Sequence, residues 1–437
     1  MASPRERIRA ALTDLVDPAN DGHWLVAFSG GVDSSVLLHE LAAIAPGRVR
    51  AVHVCHGMHP DCGRWADHCR TVCEGLGLTL ERRDVTVATG QGESPEAAAR
   101  DARYRALAVA LQPDERLVTA HHADDQAETF LLQALRGSGV AGLAAMPQAP
   151  TGARPARPFL SLTRADLLAR ARELGLTWIE DPSNQDDAVD RAYLRGRVWP
   201  SLAARWPAAA TSLSRAAASA AEARRLLDEL AAADLAGSAR GETLDVEALR
   251  QLGVDRQRNL LRYWLRGLGL DCPDQRHLAQ IRQQALGAAA SRQPRVTWPG
   301  TELRRFNGRL FAFTQLSPAP AGWQVDWDGS VPLDLPGGLG QLDAEAPCPV
   351  PLQVRLRRGG ERLRLPGRAH HASLGELCRQ AGVPPWVRER LPLVFADERL
   401  VAVADWLVAD PAELPAGAVL PPLHWSTRLP GWPPATL

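Results

Sequence analysis

Trp24-Leu25-Val26-Ala27-Phe28 runs into Ser29-Gly30-Gly31-Val32-Asp33-Ser34 and then into Val36, Leu37, Leu38 and Leu41. The apolar run suits a short buried strand, and the second apolar set recurs at helical spacing. Between them, two glycines let the backbone come close to an anion, whose oxygens the turn and the helix N-terminus meet with N–H groups. Ser29 and Ser34 can donate hydroxyls to the same oxygens. Asp33 would repel phosphate by itself, so it reads as a magnesium ligand that brings the metal onto pyrophosphate. The bland alternative is a glycine turn capped by a serine or aspartate; the whole string, placed directly after a strand, favours phosphate. A Walker-type loop is excluded, because it needs a lysine and all 50 basic residues of the 437 are arginine.

Outward from this turn the first two hundred residues alternate apolar runs with helical patterns, predicting an α/β doubly wound, Rossmann-like domain with a parallel sheet. Strands are expected over 49–54, 78–85 and 117–120. Ser94-Pro95-Glu96 opens a helix, as does Thr163 with Asp166, a capping box. An Ala-rich stretch over 212–235 predicts one long helix leading into a mainly helical middle domain. Asn307-Gly308 between alternating residues predicts a hairpin that closes it. Residues 317–351 read as a Pro/Gly-rich linker with a little strand. A small α+β domain should follow, with a second hairpin around Gly359-Gly360 and a helix near Leu374. The expected divisions are 1–211, 212–316, 317–351 and 352–437.

Composition narrows the class. No run approaches the roughly 18 apolar residues of a membrane span, and the N-terminus lacks a signal-peptide core. Seven cysteines with no paired framework predict a reducing, cytoplasmic setting. Cys55, Cys62, Cys69 and Cys73 cluster with His53, His56, His59 and His68, yet no Cys-x-x-Cys pair exists, so no structural zinc is expected. Cys69 and Cys73 should pack as small apolar residues on one helix face. A net charge of zero says little against a nucleic-acid partner, since binding depends on local patches.

A second constellation, Thr119-Ala120-His121-His122-Ala123-Asp124-Asp125-Gln126-Ala127-Glu128-Thr129, lies at the C-terminal end of a strand and runs into a helix. Open α/β sheets bind ligands at that edge. Asp125 and Glu128, three apart, share a helical face and could hold a cationic amine and accept its proton. Alternatively Asp124 or Asp125 only caps the helix and His121 is a polar surface residue.

SGGVDS resembles the PP-loop of the ATP-pyrophosphatase superfamily, and His122, Asp125, Gln126, Glu128 and Thr129 resemble the H-x-x-D-Q-x-E-T motif of the tRNA(Ile)-lysidine synthetase family. Arg136-Gly137-Ser138-Gly139 with Gly142-Leu143, Arg157-Pro158-Phe159-Leu160, Glu180-Asp181-Pro182-Ser183-Asn184, and Asp190-Arg191 through Arg195, Arg197, Pro200 and Leu202 resemble further elements of that family. So do His56-Gly57-Met58 and the set Glu96, Ala99, Arg100, Arg103 and Tyr104. The likeness is dense over 22–205 and looser beyond. Three positions depart: Ala192 stands where asparagine is usual, Cys55 precedes His56, and Gly375-Glu376 replaces a basic pair downstream of His370 and His371.

The resemblance implies that ATP, with Mg2+ on Asp33, adenylates O2 of the wobble cytidine of a CAU-anticodon tRNA(Ile), after which free L-lysine attacks C2. Ser29, Gly30, Gly31, Val32, Asp33, Ser34, His56 and Arg100 would bind ATP; His122, Asp125, Gln126 and Glu128 would form the lysine and base pocket. Asp33, Asp125 and Glu128 would carry the catalysis. Arg191, Arg195 and Arg197 are candidates for phosphates of ATP or RNA, as bidentate guanidinium forks. Without the usual basic pair, RNA contact in the last domain would fall to Arg355, Arg357, Arg358, Arg362 and Arg364; the alternative is a solvated hairpin face. A homodimer stays open. Rival readings are a PP-loop tRNA thiolase, an amide-forming PP-loop ligase, and a degenerate RNA-binding module.

Overall fold

The computed structural model describes residues 2–13, 15–16, 22–55, 60–87, 95–147, 155–180, 190–289, 292–415, 418–427 and 429–433. The chain forms two compact units, 1–226 and 227–437.

Unit 1 opens with helix α1 (Pro4–Thr13), then β1 (His23–Ala27), α2 (Val32–Ile44), β2 (Val49–Cys55), α3 (Cys62–Gly75), β3 (Leu80–Asp84), α4 (Pro95–Ala110), β4 (Glu115–Val118) and α5 (Ala123–Leu135). It continues through α6 (Val140–Leu143), α7 (Arg164–Glu173), α8 (Asp190–Tyr193), a π-helical stretch (Leu194–Val198), α9 (Trp199–Arg205) and into α10 (Ala209–Ser238), inside which the boundary falls. The sheet order is β3-β2-β1-β4, all parallel. Side chains of a strand alternate between faces, and β1 shows why its run is uniformly apolar. Both faces are covered: Trp24, Val26 and Phe28 enter a core with Leu37, Leu41 and Leu167, whereas Leu25 enters another with Val52, Leu107 and Leu117. The capping box at α7 forms as expected, Asp166 accepting the Thr163 N–H at 3.0 Å.

One correction concerns sulfur. The sequence suggests no paired cysteines, but Cys55 and Cys62 are joined as a disulfide with Cα atoms 6.2 Å apart. The end of β2 and the first residue of α3 meet there, which spacing alone does not reveal. Cys69 and Cys73 are buried on α3, in the core beneath the sheet.

Unit 2 adds β5 (Ala239–Arg240), β6 (Thr243–Asp245), α11 (Val246–Gln251), α12 (Val254–Gly267), α13 (Gln275–Gln280), β7 (Arg295–Trp298), β8 (Thr301–Phe306) and β9 (Arg309–Thr314). The β8–β9 hairpin turns at Asn307 and Gly308, both with positive φ (46° and 73°), as the tight two-residue turn requires. Residues 317–351, read as a linker, carry β10 (Gln324–Trp327), β11 (Leu333–Asp334) and β12 (Gln341–Ala344). They are followed by β13 (Leu352–Leu356), β14 (Arg362–Leu363), β15 (Ala372–Ser373), α14 (Leu374–Gln380), α15 (Pro385–Arg388), β16 (Pro392–Ala396), β17 (Arg399–Val403), β18 (Leu407–Val408) and β19 (Leu423–Ser426). β10 pairs with β13, and β12 with β19, so these residues are built into the sheets.

The hairpin expected around Gly359-Gly360 does not form. β13 pairs with β10 and β16, and β14 with β15. The buried Glu361 explains the turn: its carboxylate accepts the N–H groups of Arg358 (2.7 Å) and Gly359 (3.0 Å), drawing the backbone in on itself.

In unit 1, α2 and α7 are tied by a buried ion pair, Arg170 Nε donating to Glu40 Oε1 at 2.6 Å, with the Glu40 side chain 3% exposed. Removing one partner strands a buried charge. Glu40→Ala is expected to destabilise unit 1 by about 3–5 kcal/mol, and a Glu40→Leu/Arg170→Leu pair should recover most of that loss in chemical denaturation.

Candidate active site

β1 lies between β2 and β4, and the strand order reverses beside it, which opens a crevice at the C-terminal strand ends. Two connections meet there: 28–31 after β1 and 119–122 after β4.

In the first, Gly30 has φ +82°, and a Cβ on it would sit 2.7 Å from Ile179 Cδ1 and 3.0 Å from Cys69 Sγ. Those atoms are side-chain ends that can give way, but the positive φ is one that other residues adopt only with strain, so glycine is favoured. The Gly30 carbonyl accepts the Ile179 N–H at 2.9 Å, holding the turn from behind. Ser34 Oγ donates to Gly31 O at 3.0 Å and lies 3.1 Å from Ser29 Oγ. No side chain caps the N-terminus of α2, so its first N–H groups stay available to an anion. Val32 is buried as the first residue of α2.

The second connection brings charge. His122 Nε2 lies 3.6 Å from Asp33 Oδ2 and 3.4 Å from Asp125 Oδ2, and His122 Nδ1 lies 3.5 Å from Asp124 Oδ2. Burial alone would lower its pKa, but Asp124, Asp125 and Asp33 outweigh that and push it up to about 10. His121, next along, goes the other way: burial, with Arg157, Arg103 and Arg191 nearby, drives it down to about 3 against the pull of Asp125. Thr119 Oγ1 sits 2.8 Å from His121 Nδ1. Asp125 tends upward through burial, yet His122, His121 and Arg191 hold it at about 2.

Glu128, one turn along α5, is buried with both oxygens engaged. Arg195 donates from Nε to Oε1 and from Nη2 to Oε2, both at 2.7 Å, and Arg191 Nε donates to Oε2 at 2.8 Å. Arg195 and Arg191 also reach Asp125 Oδ1, at 3.3 and 3.5 Å. Arg197 is exposed on the same stretch. Gln126, expected in the pocket, spans a gap instead: its amide donates to Met146 O at 2.9 Å and accepts the Met146 N–H at 3.0 Å. His56 lies outside the described residues.

Of a basic cluster on the other side of His121, sequence reasoning assigned a role to Arg100 alone. The Arg100 and Arg103 guanidiniums lie 5.2 and 5.5 Å from the Tyr104 ring centroid. Burial raises the pKa of Tyr104, but the nearby Arg100, Arg103 and Arg157 guanidiniums outweigh it and lower it. Burial lowers the pKa of Arg103, and Arg100 and Arg191 press it the same way. The signal was present as the spacing of Arg100, Arg103 and Tyr104 on α4, but Arg157 arrives from a distant segment.

The site is thus an anion-accepting turn beside a carboxylate cluster, flanked by arginines. Residues 4–202 match the family model for the PP-loop domain, residues 244–311 that for the TilS substrate binding domain and residues 352–421 that for the TilS substrate C-terminal domain. The tRNA(Ile)-lysidine synthase of Methylococcus capsulatus is 43% identical over 424 residues, covering 92% of this chain and 96% of that one. The enzyme of the same name from Xanthomonas axonopodis pv. citri is 42% identical, covering 95% and 96%. That from Alkalilimnicola ehrlichii is 45% identical, covering 87% and 89%.

The chain belongs to the tRNA(Ile)-lysidine synthase family.

The two family models beyond the PP-loop domain direct attention to the arginines of unit 2. Arg355 Nη1 and Arg357 Nε lie 3.2 and 3.6 Å from the buried Glu361, and Arg355 also stacks 4.2 Å from the Phe395 ring centroid. Arg364 lies 3.0 Å from Glu413 and 3.6 Å from Asp410. Arg358 and Arg362 are exposed, donating to Gln324 Oε1 and His371 O at 2.9 Å.

The His122 assignment has a pH signature. Its folded pKa lies above the unfolded value near ~6.5, so its stabilisation is fully present below that and fades as pH rises towards about 10. In ligand-free, metal-free protein, the stability of unit 1 should fall between those limits, and His122→Gln should flatten that fall; NMR titration of the ring would report the midpoint.

Proposed function

We propose that this family member ligates free L-lysine to C2 of the wobble cytidine of a CAU-anticodon tRNA(Ile), with ATP as the activating substrate. The observation that carries the reading is the meeting, at one sheet edge, of the phosphate-accepting turn at 29–34 and the carboxylates Asp125 and Glu128 on α5. The first step forms a bond from cytosine O2 to the α-phosphorus of ATP and expels pyrophosphate. In the second, the lysine ε-amine bonds to C2, the C2–O bond breaks, and AMP departs. Adenylation turns a poor leaving oxygen into a good one. Ser29, Gly30, Gly31 and Ser34 cradle the phosphates, and Arg100 and Arg103 stand ready for their negative charge. The base must leave its stack to bring O2 to the α-phosphorus.

Asp33 fits a magnesium ion: its Oδ1 is buried without a hydrogen-bond partner, while Oδ2 faces His122. Bound there, Mg2+ would neutralise charge on the departing pyrophosphate. His122 orients the Asp33 carboxylate from the other side.

The amine must shed a proton before it attacks, since its pKa is near ~10.4. Asp125, held near 2 by its cationic neighbours, is suited to hold the ammonium and is a weak acceptor of its proton while those neighbours stay. Sulfur transfer is disfavoured by the thiols on α3: burial raises Cys69 to about 12 and Cys73 to about 11.

Asp33→Ala is expected to lower cytidine adenylation by at least about a hundredfold, as loss of a charge-stabilising group does, while tRNA affinity stays near wild type. Incubation with ATP, labelled lysine and tRNA, scored for label in RNA, checks both the reaction and the variant; no transfer by wild-type protein would refute the reading.

The arginines of unit 2 divide by what already neutralises them. Arg355 and Arg357 already serve Glu361, so they are less free than the exposed Arg358 and Arg362 to neutralise RNA phosphates and release the counterions condensed there. Arg358→Gln/Arg362→Gln should flatten the log–log salt dependence of tRNA binding by roughly 0.7 to 0.9 per lost phosphate contact. Arg355→Gln/Arg357→Gln should chiefly destabilise unit 2. An unchanged slope in the first pair would take these arginines out of the RNA interface.

A further inference from the structure

The carboxylates assigned to the lysine amine already hold cations. Every oxygen of Asp125 and Glu128 has a donor: the two arginines take both oxygens of Glu128 and Oδ1 of Asp125, and the His122 N–H reaches Asp125 Oδ2 at 3.1 Å. Free lysine arriving with its ammonium would have to compete with these cations for oxygens they already engage. The acids are the buried members, with Glu128 and Asp125 side chains 3% and 15% exposed, against 22% and 33% for Arg191 and Arg195. The arginines therefore have room to swing outward, and the acids do not.

What could draw them is also present. Arg100 and Arg103 gather at the Tyr104 ring, and Arg191 is near enough to repel Arg103, so this side of the site is rich in positive charge. A phosphate settling among these groups competes with Glu128 for the guanidiniums, with bidentate geometry that suits it. Arg191 and Arg195 lie four residues apart across the junction from α8 to the π-helical stretch at 194–198, and π turns are rare and frequent at functional sites.

We propose that Arg191 and Arg195 are resident occupants of the amine site, and that phosphate must draw them off before lysine can bind. This rests on the reading of Asp125 and Glu128 as amine ligands. It makes lysine the last substrate to enter, after the phosphate-bearing partner is in place. Lysine then meets an activated cytidine, and the acids that hold its ammonium are freed by the same event. The displacing phosphate belongs either to the nucleotide or to the RNA backbone, and the two sources are separable.

Labelled lysine is titrated into the full chain by equilibrium dialysis, alone, with α,β-methylene-ATP, with a CAU anticodon stem-loop RNA, and with both. If the acids are free in no more than a tenth of the unliganded molecules, affinity should rise at least about tenfold in the arm that supplies the phosphate. Arg191→Gln/Arg195→Gln should bind lysine comparably tightly with no phosphate probe at all. Should the double variant not fold, each single variant is expected to tighten lysine binding in phosphate-free buffer. The proposal is overturned if wild type binds lysine equally in all four arms, or if folded arginine variants show no gain. Glu128→Gln with both probes present separates the two layers. Loss of lysine binding there, with phosphate-independent binding in wild type, sinks the displacement alone; unchanged binding sinks the amine site and the displacement with it.

Discussion

Parallel pairing of β1 with β2 on one side and β4 on the other is the constraint on which the site depends. It sets Val26 opposite Val118, so the turns after both strands emerge together at one edge. The first passes close to Ile179 and Cys69 with a positive φ at Gly30 that favours glycine; the second begins α5 with acids in its first turn. Neither turn binds anything by itself. Their meeting sets an anion-accepting backbone a few ångströms from carboxylates, the juxtaposition that an activation followed by amine attack requires.

Charge inside this site is sorted by side. Adjacent residues on one backbone, His121 and His122, are pushed in opposite directions: burial, helped by nearby arginines, lowers the first, and aspartates raise the second against burial. Divergent environments of this kind are how one fold keeps acid and base functions apart near neutral pH. The protonated His122 lets Asp33, Asp124 and Asp125 approach one another without prohibitive repulsion. Neutral His121 avoids adding a fourth cation beside Arg103, Arg157 and Arg191.

Local order was legible in the sequence wherever one residue type has one physical use. The strand–glycine–helix turn at 24–41, the Thr163–Asp166 capping box and the Asn307-Gly308 hairpin all follow from short-range rules. The pairing of distant segments was not. Gly359-Gly360 looks like a hairpin turn until Glu361 is seen to fold under it, and 317–351 looks like a linker because its strands are short and broken by Pro and Gly. At the site, His122 came from the family resemblance, whereas Asp33 could be picked out by its place in the glycine turn and Asp125 with Glu128 by spacing. Their partners could not, since Arg191 and Arg195 lie more than sixty residues beyond Glu128. Gln126 shows the limit of motif reasoning: its place in the string suggested the pocket, and its amide serves the backbone of Met146.

The chain contains no lysine, so each side-chain cation it sets against a buried acid is a guanidinium or an imidazolium. This matters at Glu128. A guanidinium covers a carboxylate with two parallel N–H donors, whereas an ammonium is a compact point charge with donors in three directions. The resident and the proposed substrate thus satisfy the same acids by different geometries, and a carboxylate pair arranged for two forks is loosely matched to one ammonium. Lysine gains its place only when the forks find a better acceptor. Phosphate is that acceptor: its oxygens match the guanidinium fork, a nucleotide's phosphates carry more charge than either acid, and a backbone phosphodiester carries as much. The same preference that would let arginine grip a nucleotide or an RNA backbone would therefore release the acids to the amine, coupling the two halves of the site without any further moving part.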